Sequence, residues 1–125
     1  MALIQELGGA GMPVLQQQLL GYSQTEGIAS AGSTRADATA LTATFNVLGT
    51  VGSGEGVILP AATANAQTIV YVLNMGANTV KVYAAGSNTI NGAAGTTGVD
   101  IPTIEGGMFT RINAGTGWWF VPLGT

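Results

Sequence analysis

The alternation of apolar and polar positions is clearest where residues 68–73 (TIVYVL) and residues 79–83 (TVKVY) flank residues 74–78 (NMGAN). Runs of β-branched and aromatic residues predict strands, and the Asn- and Gly-containing segment predicts the loop of a hairpin. With this loop Tyr71 faces Lys81, because side chains alternate with period 2 along a strand. The other face of the predicted hairpin is dry and collects four valines, Val70, Val72, Val80 and Val82.

From residue 41 onward, the other predicted elements are also short strands bounded by Gly, Pro and Asn turns. Residues 42–48 alternate Thr and Asn with Ala, Phe and Val, which is typical of a half-buried strand. Turn signals recur about every eight to twelve residues, which predicts an all-β domain, a small β-sandwich or barrel of about seven to eight short antiparallel strands. The remaining strands are expected at residues 57–59, 89–91, 99–102, 108–113 and 118–122.

Residues 1–40 are expected to form an N-terminal arm, and residues 41–125 the β-domain. The arm allows one short helix over residues 14–20, with Pro13 in its first turn and Gly21 as its stop. About two turns of helix are not stable alone, so the arm needs a surface, unless it is a terminus without a role. The residues between this helix and the β-domain are small and polar and read as an extended linker.

Trp118 and Trp119 are adjacent, so in a strand their side chains point to opposite faces. One of them is expected in the core and the other on the outside. An outward tryptophan needs cover and a partner for its indole N–H. Two alternatives are open for it, a groove of its own domain and a contact with another subunit.

Charge is scarce in this chain of 125 residues, where charged side chains make up 7%, the net charge is −3 and the mean hydropathy is +0.40. A typical soluble domain has roughly a quarter of its residues charged. A monomer with so little charge is poorly protected against association, so we expect a protein that functions within an assembly. The three basic residues are scattered, which argues against nucleic acid and anionic membranes as partners.

The residue types used in common catalytic and metal sites are missing or scattered. The chain has no histidine and no cysteine, which excludes Ser-His-Asp and Cys-His arrangements, thiolate metal sites and disulfides. Residues 49–56 (GTVGSGEG) lack the Lys-Ser/Thr of a phosphate-binding loop. The six carboxylates follow no motif spacing. We therefore expect no enzyme activity, no cofactor and no metal. We also expect no signal peptide, and the sequence contains no apolar run long enough to span a bilayer.

Residues from about 29 to 121 resemble a domain that recurs in structural proteins of tailed bacteriophages and prophages. The matching residues are 40–42 (ALT) and 45–47 (FNV), then 56–60 (GVILP), followed by the long stretch 71–83 (YVLNMGANTVKVY). The pattern closes with residues 89–92 (TING) and 117–119 (GWW). The stretch from Asn74 to Tyr83 followed by the TING turn is the most specific part, and the resemblance covers about three quarters of the chain.

This resemblance implies a virion component, either a capsid decoration (cement) protein or the base of a head or tail fibre, and such proteins are often trimeric. Because no fibre shaft follows the β-domain, we expect a decoration protein that binds the major capsid protein on the outside of the head and stabilises the shell. It would be made in the host bacterial cytoplasm and end on the capsid surface. The alternatives are a receptor- or glycan-binding module that uses Tyr83, Trp118 or Trp119, and a head–tail collar component.

Within this expectation the arm anchors the protein to the shell, and the β-domain forms the subunit interface of a homotrimer. The expected interface residues are Ile69, Tyr71 and one of the two tryptophans, Trp118 or Trp119. The expected anchor consists of the apolar residues of the arm: Leu3, Ile4, Leu7, Val14, Leu15, Leu19 and Leu20.

Overall fold

A computed structural model describes residues 23–62, 69–112 and 116–124, and these residues form an all-β fold of two sheets. The strands are β1 (Gln24–Ala29), β2 (Thr39–Ala40), β3 (Phe45–Thr50), β4 (Gly56–Ile58), β5 (Ile69–Asn74), β6 (Val80–Tyr83), β7 (Thr89–Ile90), β8 (Ala93–Ala94), β9 (Val99–Ile101), β10 (Glu105–Ile112) and β11 (Gly117–Leu123). The seven-stranded sheet has the order β1-β3-β5-β10-β11-β7-β8, and the four-stranded sheet has the order β2-β4-β6-β9. A 3-10 turn lies at Arg35–Asp37.

The first six strands alternate between the two sheets, so the chain winds in a solenoid-like path. Strands β1, β3 and β5 are parallel neighbours in one sheet, and β2, β4 and β6 are parallel neighbours in the other. Strands β9 and β10 then run antiparallel beside β6 and β5. The all-β prediction is confirmed. The expectation of antiparallel strands is not met in this first half, because each turn there carries the chain across to the opposite sheet.

The predicted hairpin of β5 and β6 is wrong, because these two strands lie in different sheets. Strand β5 pairs with β3 and β10, whereas β6 pairs with β4 and β9, so Tyr71 does not face Lys81. The connection is a β-arch held by the side chain of Asn74. Its Nδ2 donates to the carbonyls of Asn78 at 2.8 Å and Ile101 at 2.9 Å, and its Oδ1 accepts from Gly76 N at 2.9 Å.

Successive arches stack closely on each other, and this contact requires a glycine. A Cβ atom at Gly76 would lie 2.6 Å from Cγ2 of Val51, which belongs to the preceding arch. The Asn78 side chain joins the same two arches, since its Nδ2 donates to the Val51 carbonyl at 2.8 Å. The NMGAN segment therefore encodes a turn between sheets rather than a turn within one.

The four valines predicted to form a dry face are all fully buried. They lie on strands of both sheets and meet in one core between them, because an arch, like a hairpin, keeps the alternation of each strand. Phe109 and Phe120 stack in the same layer with ring centroids 5.0 Å apart. The largest buried side chain is Trp118.

The N-terminal arm lies partly within the described residues. Residues 1–22, which include the possible helix and all seven anchor residues, lie outside them. In the remainder of the predicted arm, β1 pairs with β3 and β2 pairs with β4, so residues 24–29 and 39–40 belong to the two sheets. These residues are extended, as a linker would be, and they are paired.

Candidate functional site

The outward side of the seven-stranded sheet carries an apolar surface that runs across four neighbouring strands. Its central row follows the strand register from Phe45 on β3 through Tyr71 and Met108 to Val121 on β11. The rings of Phe45 and Tyr71 stack in parallel, with centroids 4.7 Å apart and an interplanar angle of 1°. This stack covers part of each ring and leaves a flat aromatic surface.

Two further rows complete what we call the apolar face. One row joins Val47, Leu73 and Leu123 through Gly106, where the missing side chain leaves room for Leu73. The other joins Ile69 and Trp119 through Thr110. The apolar face is thus made of nine side chains: Phe45, Val47, Ile69, Tyr71, Leu73, Met108, Trp119, Val121 and Leu123.

The apolar face is partly exposed to solvent throughout. Trp119 is 49% exposed and Leu123 is 39% exposed, whereas the other seven side chains are half-buried. No charged residue occupies an outward register position between Phe45 and Leu123 on these strands. Such a surface is suited to contact with another apolar protein surface.

Strand β3 shows how the apolar face arises from the sequence. Its inward positions are Asn46 and Leu48, both fully buried, so Phe45 and Val47 point outward. Asn46 tolerates burial because its Nδ2 donates to the carbonyls of Ala43 at 2.8 Å and Tyr71 at 3.2 Å. Because the polar Asn46 occupies an inward position of β3, the apolar Phe45 and Val47 lie on its outward side.

The two tryptophans take the opposite positions that alternation predicts. Trp118 is fully buried in the core, so it offers no surface to a partner, and Trp119 is the outward one. The structure brings three of the expected interface residues, Ile69, Tyr71 and Trp119, onto the apolar face. Their role as a subunit interface stays a prediction.

Six members of the apolar face were not among the interface residues expected from the sequence, and they come from β3, β5, β10 and β11. The sequence did contain a signal for them, namely strands with apolar residues at both odd and even positions, as in the WWFVPL run of β11. Such a strand has an apolar outer side whichever face is in the core. The missed residues are Phe45, Val47, Leu73, Met108, Val121 and Leu123.

The outward side of the four-stranded sheet is polar by comparison. Lys81 and Asp100 lie on adjacent strands and form an ion pair of 2.9 Å. Arg35 lies near the same sheet, where its Nη1 donates to the carbonyls of Ala84 at 3.2 Å and Gly86 at 2.6 Å. The outward side of the seven-stranded sheet is thus apolar across β3, β5, β10 and β11, with Glu26 on the edge strand β1, whereas the outward side of the four-stranded sheet carries an ion pair.

Carboxylates in the described part of the chain have local structural contacts. Glu55 Oε2 accepts from Ser30 Oγ at 2.7 Å and from Gly52 N at 3.0 Å, which holds the arch after β3. Asp37 accepts from Thr34 Oγ1 at 3.1 Å. Among the described residues, no group of three or more acidic side chains is placed to hold a metal ion.

Comparisons with known proteins gave no match: no family model, no curated protein and no solved structure is significantly similar to this chain. A search of the described residues for a helix long and apolar enough to cross a membrane also found none. The resemblance to phage structural proteins therefore stays a prediction from the sequence.

Proposed function

We propose that this protein is a non-enzymatic structural component of a virion, a decoration (cement) protein on the outside of a tailed-phage head. The observation that carries the proposal is the apolar face, nine partly exposed apolar side chains in a chain with 7% charged residues. Monomeric soluble proteins rarely leave a large contiguous apolar surface in water. In an assembled protein, neighbouring subunits can cover such an apolar surface.

In this proposal the major capsid protein and further copies of the chain are the partners, with the copies forming a homotrimer. The apolar arm, residues 1–20, anchors the protein to the shell, and the apolar face lies against other copies. A protein that binds the assembled shell but not its dissociated subunits stabilises the shell by mass action. Symmetric copies add avidity without requiring any single strong contact.

Copy number in purified virions tests the proposal, measured by quantitative mass spectrometry against the major capsid protein. A decoration protein is expected at on the order of hundreds of copies per particle, because it follows the symmetry of the shell. A few copies up to some dozens would move the protein to a fibre, vertex or collar. Absence from the particle would contradict a virion role altogether.

One observation favours a second candidate, a glycan- or receptor-binding module. Trp119 is 49% exposed on a flat sheet surface, and exposed aromatic rings can stack on ligands. The other two aromatic residues considered for this site offer no platform, since Trp118 is fully buried and Tyr83 is 5% exposed. A low copy number together with lost adsorption in a Trp119→Ala virion would favour this candidate.

A further inference from the structure

Ile104 adopts a backbone conformation that is unfavourable for its type. Its φ angle is +64°, in the left-handed region, where a β-branched side chain crowds the backbone. The other described residues with positive φ are Asn91, which tolerates this region, and six glycines. The turn is fixed by Ile104 N, which donates to the Asn74 carbonyl at 2.8 Å.

Nothing in the described fold explains why an isoleucine occupies this position. Its side chain is 59% exposed, so it contributes little to the core. Glycine would adopt the same backbone conformation without strain. Residues with strained backbone conformations cluster at functional sites. A contact of the Ile104 side chain with another molecule would therefore explain why this residue is an isoleucine.

Ile104 lies at one end of the apolar face, beside a second exposed apolar residue. Met75 is also 59% exposed, and it directly follows Asn74, the residue that accepts the hydrogen bond from Ile104. Met75 directly follows Asn74 and Ile104 directly precedes Glu105, the residues that form the last pair between β5 and β10 at this end. We call Met75 and Ile104 the apolar tip, which extends the apolar face at the Leu123 end.

Charge and size favour a second copy of this chain as the occupant. The apolar face and the apolar tip carry no charge, so they offer nothing to a charged ligand, and two copies meet there without like-charge repulsion. Four strands with five residues each cover about 19 Å by 17 Å. That corresponds to the apolar core of a standard interface, which buries about 800 Å² per partner including its polar rim.

We propose that the apolar tip is a contact between copies of this chain, and that Ile104 keeps its strained conformation because its side chain is buried by the neighbouring copy. The proposal rests on the self-association included in the proposed function, and it adds the residue that marks the contact. It does not depend on whether the assembly lies on a capsid.

The test combines two substitutions at one position in the full chain. Ile104→Gly removes both the backbone strain and the apolar contact, whereas Ile104→Leu keeps an apolar side chain. Analytical ultracentrifugation over a dilution series measures the dissociation constant for self-association. Ile104→Gly is expected to raise this constant about 10- to 100-fold, the effect of losing one buried isoleucine, and Ile104→Leu is expected to change it much less.

The melting temperature, measured at a protein concentration low enough to dissociate the copies, separates this effect from misfolding. Under that condition Ile104→Gly is expected to melt at the same temperature as the parent or a higher one, because the backbone strain is gone. Gly86→Ala is the matched control, because it changes a second positive-φ position where an added Cβ meets no atom within 4 Å and which lies outside the apolar face, so it is expected to leave self-association unchanged. An unchanged dissociation constant for Ile104→Gly, or a parent chain that is monomeric at its highest soluble concentration, would overturn the proposal. Virion copy number is measured independently, so the two proposals can fail separately.

Discussion

Buried asparagines hold the loops of this fold onto its sheets. Asn46, Asn74 and Asn88 are each at least nine-tenths buried, and each bonds to backbone groups of a loop or a neighbouring strand. A buried amide is tolerated only when its hydrogen bonds are made, and then it fixes the local chain path. In a sequence with so few charges, these amides supply much of the specificity that a purely apolar core lacks.

Asn74→Ala is predicted to destabilise the fold by about 2 to 4 kcal/mol, because three backbone groups in and around the arch lose their hydrogen bond to this side chain. Asn78→Ala is the matched control in the same arch. It removes one side-chain bond to Val51 and is predicted to cost about 1 kcal/mol. Equilibrium urea unfolding at one fixed protein concentration measures both. Equal losses in the two variants would contradict the role assigned to Asn74.

At the scale of elements, alternation predicted much of the fold and missed its connectivity. Strands β4 to β7, β9 and β11 begin and end within one residue of the predicted positions, whereas β10 begins three residues earlier than predicted, at Glu105. The burial of the valines follows from period 2 alone. Alternation does not tell an arch from a hairpin, because both keep the same residues inward. The distinction depends on contacts distant in sequence, such as Gly76 against Val51.

The apolar face was predictable only in part, because it also depends on which strands lie side by side, and local alternation does not show this. Ile69, Tyr71 and an outward tryptophan follow from local alternation. Phe45 and Val47 join them only because β3 turns Asn46 and Leu48 inward and lies beside β5. The backbone conformation of Ile104 has no sequence signal, since a β-branched residue at positive φ runs against local preference.

Disulfide trapping distinguishes the arch from the hairpin, and the cysteine-free parent gives a clean background. Lys81→Cys with Asp100→Cys places two thiols on directly opposed antiparallel positions, so mild oxidation is predicted to link them. Tyr71→Cys with Lys81→Cys, opposed in a hairpin, is predicted to stay reduced, because the two positions lie in separate sheets. Intact mass, which falls by the mass of two hydrogens on closure, reads out both. A disulfide that forms in the second pair and not in the first would contradict the arch and support a hairpin of β5 and β6.

At the scale of the whole molecule, the described fold has two unlike sides. The Lys81–Asp100 ion pair lies on the outward side of the four-stranded sheet, and the apolar face lies on the outward side of the seven-stranded sheet. A free monomer would gain solubility from charges on both sides. An assembled protein needs them only where it faces solvent, and the four strands that carry the apolar face have no charged residue at an outward position, although Glu26 lies beside them on the edge strand β1.

Carbene footprinting of the assembled protein, compared with the same protein after dissociation, measures which surface assembly covers. Assembly is expected to protect peptides containing residues 69–75, 104–110 and 117–123, which carry most of the apolar face and the apolar tip. Peptides containing residues 81–100, which include the ion pair on the other sheet, should label equally in both states. Protection confined to residues 81–100, or no protection on assembly, would show that the apolar face is not the covered surface.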